Sequence, residues 1–153
     1  MFNAYKYHLS FKKPFVTAAG TFTFREGVIL RYHNSNTDKI SEVAPLPGFS
    51  KESLPEVVSM LSGEKESVNS FLSASFDLHK LIRYTDSFYG LPSLQFGLSM
   101  LGMQILADRK GKTVSDLLGR TAQKSVKVNA VAGSSFGHDW FASRRNDMSP
   151  NFE

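Results

Sequence analysis

The 153-residue chain has no cysteine, which excludes disulfide staples and thiolate chemistry and fits a reducing compartment. It has one tryptophan against thirteen phenylalanines, so much of the buried area is expected to come from phenylalanine. It has no apolar run long enough to span a bilayer, and its first thirteen residues alternate polar and apolar instead of forming a basic-then-apolar leader. A cytoplasmic protein without a membrane partner is the expectation. It also lacks a charge run. The net charge is +4, and the basic pairs Lys12-Lys13 and Arg144-Arg145 are too short to track a phosphate backbone. Nucleic acid is therefore not expected as a partner, whereas a small anionic substrate suits a mild positive balance.

What is present reads as one α+β unit, with strands first and helices after. Tyr5, Tyr7, Leu9 and Phe11 alternate with Lys6, His8, Ser10 and Lys12, giving a strand with an aromatic face. Residues 13–24, with Pro14, Gly20 and several small side chains, read as a mobile loop and a candidate lid. Residues 27–33 form a second strand, 34–38 are turn chemistry, and 40–44 form a short half-buried strand that completes an antiparallel meander. Such a sheet needs a covering layer.

Helices supply it. Residues 54–61, 64–72 and 76–83 are short amphipathic helices, followed by a loop over 84–90. Pro92 opens the longest helix, with Leu94, Leu98, Leu101 and Ile105 at helical spacing. Gly97 and Gly102 there admit a close neighbour, Met100 and Met103 fill gaps, and Gly111 is the expected C-cap. Residues 113–118 form a last short helix, 125–132 a fourth strand, and 134–153 carry no sustained period.

The most informative stretch joins the third strand to the first helix. Pro45 and Pro47 stop the strand, Gly48 permits a sharp turn, and Ser53-Leu54-Pro55-Glu56 has capping-box spacing. Glu42-x-x-Pro45-Leu46-Pro47-Gly48-Phe49-Ser50 resembles the N-terminal capping domain of the o-succinylbenzoate synthases of the enolase superfamily. Leu91-Pro92-Ser93-Leu94-Gln95-Phe96-Gly97-Leu98-Ser99 and Asp116-Leu117-Leu118-Gly119 resemble later segments of the same domain, in the same order. The resemblance covers residues 5–133. It implies a capping domain over 1–122, the first strand of a (β/α) barrel over 123–133, and an irregular tail over 134–153.

The resemblance also implies a magnesium-dependent dehydration in menaquinone biosynthesis, with a small carboxylate substrate. A racemase or epimerase of acylated amino acids or dipeptides is the alternative within the superfamily, and a non-catalytic truncated binding domain the alternative outside it. The family's catalytic Lys-x-Lys belongs on the second barrel strand. Lys110-Gly111-Lys112 has the spacing but sits at a helix end, and Lys124 and Lys127 do not share a strand face. The chain is thus expected to hold no catalytic residue and no metal ligand. Magnesium would belong to the complete enzyme, the missing barrel would be a partner, and self-association of the isolated chain is expected.

Two loops, 17–25 and 47–50, are implied to close over the barrel mouth. Gly20, Thr21, Phe22, Arg25, Gly48, Phe49 and Ser50 are the substrate-binding candidates, with Arg25 set to meet a carboxylate. Gly133-Ser134-Ser135-Phe136-Gly137 matches a nucleophile-elbow pattern, but His138 is three residues from Ser135 and cannot readily fold back onto it.

Overall fold

The computed structural model describes residues 1–17, 20–119 and Ser125. Three strands, β1 Phe2–Thr17, β2 Gly20–His33 and β3 Asp38–Val43, form an antiparallel sheet in the order β1-β2-β3. Five helices follow: α1 Leu54–Gly63, α2 Lys65–Ser73, α3 Leu78–Asp86, α4 Pro92–Arg109 and α5 Val114–Leu118. The expected fourth strand, Ser125 apart, and the tail over 134–153 lie outside the described residues.

Strand alternation divides the sheet into a covered and an open face. Val28, Leu30 and Tyr32 of β2, with Phe2 and Val43, are buried and join one core with Leu94, Leu98, Leu101 and Ile105 of α4. Burying each such aliphatic side chain stabilises by about 1.5–3 kcal/mol, which is what holds α4 on the sheet. Both expected close approaches occur. A Cβ at Gly97 would stand 2.4 Å from Val43 Cγ2, and one at Gly102 2.3 Å from Leu81 Cδ1. At the end of α4, Gly111 adopts φ +60°, while the Lys112 and Gly111 amides donate to Ala107 and Asp108. The Ser53–Glu56 capping box starts α1, and Asp77 caps α3.

Four expectations are corrected. Residues 13–17 and 20–24 are not a loop but the far half of a long hairpin, paired Phe15–Phe22, Val16–Thr21 and Thr17–Gly20. Pro14 is accommodated at an irregularity in which residues 11–14 face Thr23 alone, on an edge strand where a missing donor is tolerated. Residues 84–86 are helical, because Tyr84 stacks on Phe71 at 3.9 Å between ring centroids and extends α3. In β3 the covered face carries Val43, while Ile40 is 57% exposed; the aromatic face of β1 likewise points away from the helices, leaving Tyr5 and Leu9 in the open. Finally, phenylalanine contributes little to the core. Among the described phenylalanines only Phe2, Phe76 and Phe88 are buried in it, and aliphatic side chains with Tyr32 fill the rest.

Candidate functional site

Five of the phenylalanines missing from the core gather elsewhere. A cleft of about 1010 Å³ opens between the far half of the β1–β2 hairpin and the segment from Pro45 to Glu56, and Phe11, Phe15, Phe22, Phe24 and Phe49 all line it. Strand register explains the first wall: with Phe15 opposite Phe22 and Ser10 opposite Phe24, the hairpin concentrates rings near its tip. His8 stacks on Phe24 at 4.5 Å and holds Glu26 at 3.3 Å. The His8 contact is the largest cause holding the Glu26 carboxyl below the usual carboxylate range; burial opposes it, and Lys6 adds to the lowering.

The second wall is stiff by construction. Two prolines remove donors, and the remaining groups close on themselves. The Leu46 amide donates to Ser50 Oγ at 2.8 Å, and the Phe49 and Ser50 amides return to the Leu46 carbonyl at 3.0 and 2.9 Å. Gly48 turns the chain at φ +80° with open space around it, a geometry that disfavours any residue with a Cβ. Phe49 is left 64% exposed on the cleft side of this turn.

The walls meet at Arg25. Its Nη1 donates to the Pro45 carbonyl at 3.2 Å and its Nη2 to that of Ala44. Beside it, on the open face of the sheet, the Tyr7 ring covers Gly27, and its hydroxyl donates to Glu42 Oε1. Burial first, then the hydrogen bond and charge of Glu42, push the Tyr7 phenol up to about 12, with Arg25 opposing. Below the cleft, Glu52 is buried and its Oε1 accepts from the Ser93 amide at 2.6 Å, in the first turn of α4. Burial pushes the Glu52 carboxyl up, but hydrogen bonding from Ser93, with that from its own amide, outweighs it and the net shift is downward.

Six of the seven candidate residues line the cleft: Thr21, Phe22, Arg25, Gly48, Phe49 and Ser50. Gly20, at φ +136°, lies at the hairpin tip outside the lining. Arg25 faces backbone carbonyls, and Ser50 Oγ accepts from its own loop, so both side chains have structural partners. Phe11, Phe15, Lys51 and Glu52 also line the cleft and went unread. The hairpin reading would have found the two phenylalanines; Glu52 has no local sequence signal, because its partner is 41 residues away. Lys51 is exposed and forms no ion pair among the described residues.

Chemically, the cleft offers apolar walls with charge at their rim. Among the described residues no three His, Asp or Glu side chains stand together to hold a metal ion, so these residues do not fit the magnesium of the implied reaction. The same residues include no helix long and apolar enough to cross a membrane.

The family model of the MenC N-terminal domain matches residues 1–105, two-thirds of the chain. The chain belongs to the MenC N-terminal domain family. Among solved structures, a member of the enolase superfamily from Listeria innocua Clip11262 superposes with a TM-score of 0.61 at 13% identity, over 77% of this chain and 32% of that one. A mandelate racemase/muconate lactonizing protein from Herpetosiphon aurantiacus gives 0.56 at 22% identity, over 72% and 31%. Both show that the MenC-type meander and helices have the enolase-superfamily N-terminal fold. An o-succinylbenzoate synthase from Thermosynechococcus elongatus BP-1, complexed with magnesium in its active site, is 27% identical over 40% of this chain and 19% of its own, at a TM-score of 0.38. No curated protein matches the chain significantly. The chain spans about a third or less of the length of these solved relatives.

Proposed function

We propose that this MenC-type domain is the substrate-covering part of an o-succinylbenzoate synthase-like lyase, whose barrel supplies the acid, the base and magnesium. The observation that carries the reading is the aromatic cleft. Within a MenC N-terminal domain, its two walls coincide with the two loops that the resemblance assigns to closure over the barrel mouth. Closure would remove water from the reacting carboxylate and strengthen every charge interaction there. The rings of Phe22, Phe24 and Phe49 suit the face of an unsaturated six-membered ring. Lys51, unpaired in the described structure, is the cation placed to attract a substrate carboxylate from the rim.

The division of labour is testable. The purified chain, given the cyclohexadiene carboxylate substrate and magnesium, is expected to show no turnover; mixed with the barrel half of a MenC-type enzyme, it is expected to restore dehydration. Turnover by the chain alone would overturn the division. A mixture that is inactive in dehydration but racemises an acylated amino acid would overturn the lyase assignment.

A further inference from the structure

The β2–β3 ladder ends at the pair Val28–Val43, and the chain beyond it cannot continue the pairing because Pro45 has no N–H to give. The Ala44 and Pro45 carbonyls nevertheless have partners, since the Arg25 guanidinium reaches both. Arg25 belongs to β2, three residues before the last ladder pair, and its main chain is paired with Leu9 of β1. One side chain therefore does across the β2–loop gap what backbone amides do elsewhere in the sheet. A planar fork can span two adjacent carbonyls; a lysine ammonium, a single point of donation, cannot hold both in the same way.

Around this contact the neighbours reinforce it. Tyr7 of β1 lies over Gly27 of β2 and donates to Glu42 of β3, tying all three strands on the same face. Arg25 is half-buried at this corner, and the loop it grips is internally closed through Leu46 and Ser50. A stiff loop held by a stiff fork to a hairpin strand has little freedom to move by itself.

We propose that Arg25 is a positioning residue that couples the two walls of the cleft, so that the hairpin tip and the Pro45–Ser50 turn open and close as one body. It acts through the loop and not by contacting the substrate. The functional meaning of the coupling rests on the covering role proposed above; the coupling itself is a mechanical property of this chain. Substrate bound against one wall then sets the position of the other, which makes the cleft respond to the size of its occupant.

The test is backbone amide relaxation dispersion on the full chain. In the unaltered protein, the amides of Thr21, Phe22 and Phe24 and those of Leu46, Phe49 and Ser50 are expected to fit one common exchange rate. Arg25→Met and Arg25→Lys are both expected to split that rate into two and to speed hydrogen exchange at the Leu46 amide about tenfold, while Val28, Leu30 and Tyr32 stay protected. Lys carries the decisive comparison because it keeps the charge and most of the bulk, and it serves alone should the methionine variant not fold. Two rates in the unaltered chain, or one common rate retained in Arg25→Lys, would overturn the coupling. Adding o-succinylbenzoate separates this outcome from the covering role. A common rate that ligand leaves untouched keeps the coupling and counts against the cover; ligand-induced ordering with separate rates does the reverse.

Discussion

At the scale of single residues, the least advertised group in the sequence has the most defined structural role. Glu52 precedes the capping box, yet its carboxylate serves a different helix, accepting from Ser93 where α4 has no side-chain cap of its own. An anion at that end also opposes the positive pole of an 18-residue helix. Replacing it with alanine is expected to cost about 1–2 kcal/mol, as loss of a cap does, and Glu52→Gln somewhat less. The same contact sets a pH dependence. The carboxyl is depressed from its ordinary 4.5, so its stabilisation is present above that value and is lost as pH falls through the lower folded-state pKa. Glu52→Gln should therefore flatten the acid limb of a stability–pH profile; an unchanged limb would assign acid sensitivity to the other depressed carboxylates, such as Asp77 and Asp116. Gly97 is the second sensitive position. Alanine there drives a Cβ into Val43 and to 3.0 Å from the Glu42 carbonyl, and thermal unfolding is expected to report a loss of about 1–3 kcal/mol.

At the scale of elements, the hairpin tip is built to be altered without disturbing the fold. Phe15 and Phe22 face each other across the strands, and Phe15 is 42% exposed. Replacing both with serine is expected to cost under about 1 kcal/mol, the range of a cross-strand pair, and to leave Tm nearly unchanged. If the chain covers the substrate of a lyase as proposed above, the same change should raise that enzyme's KM. A large drop in Tm would make the rings part of the core instead. What the sequence made legible follows the same division between local and distant causes. The Pro45–Gly48 turn, the capping box at Ser53, the left-handed Gly111 just past the Lys110 cap of α4 and the close approaches at Gly97 and Gly102 were all readable, because each shows in a few neighbouring residues. The strand pairing of residues 15–17 with 20–22 was not, since Pro14 and Gly20 argue locally for a loop, while the pairing that overrides them comes from the opposite strand. Burial of phenylalanine failed for a related reason. Composition counts rings but says nothing about which face they take, and five of them line the cleft instead of filling the core.

At the scale of the whole molecule, the open face of the sheet and the cleft both leave apolar surface uncovered. Tyr5, Leu9 and Ile40 stand on one, and Phe11, Phe15 and Phe49 on the other. Patches of this kind mark surfaces that meet something. β1 is also an edge strand of sixteen residues, but pairing of one copy's edge with another's is opposed by charge. It carries Lys6, Lys12 and Lys13 and no acidic residue, and edge lysines are a recognised device against such pairing. Association of the isolated chain is thus expected to be hydrophobic in drive and restrained by repulsion between positively charged copies. The two contributions respond oppositely to salt. Screening shortens the reach of the lysines to about 8 Å at physiological ionic strength and about 3 Å at 1 M, while apolar contact is not weakened. Sedimentation velocity over a range of concentrations should show self-association that strengthens as sodium chloride is raised, and Leu9→Ser with Ile40→Ser should reduce it while leaving the far-UV spectrum intact. Association that weakens with salt would instead identify ion pairing between copies, and a monomer at every concentration and salt level would show that these faces do not drive contact between copies.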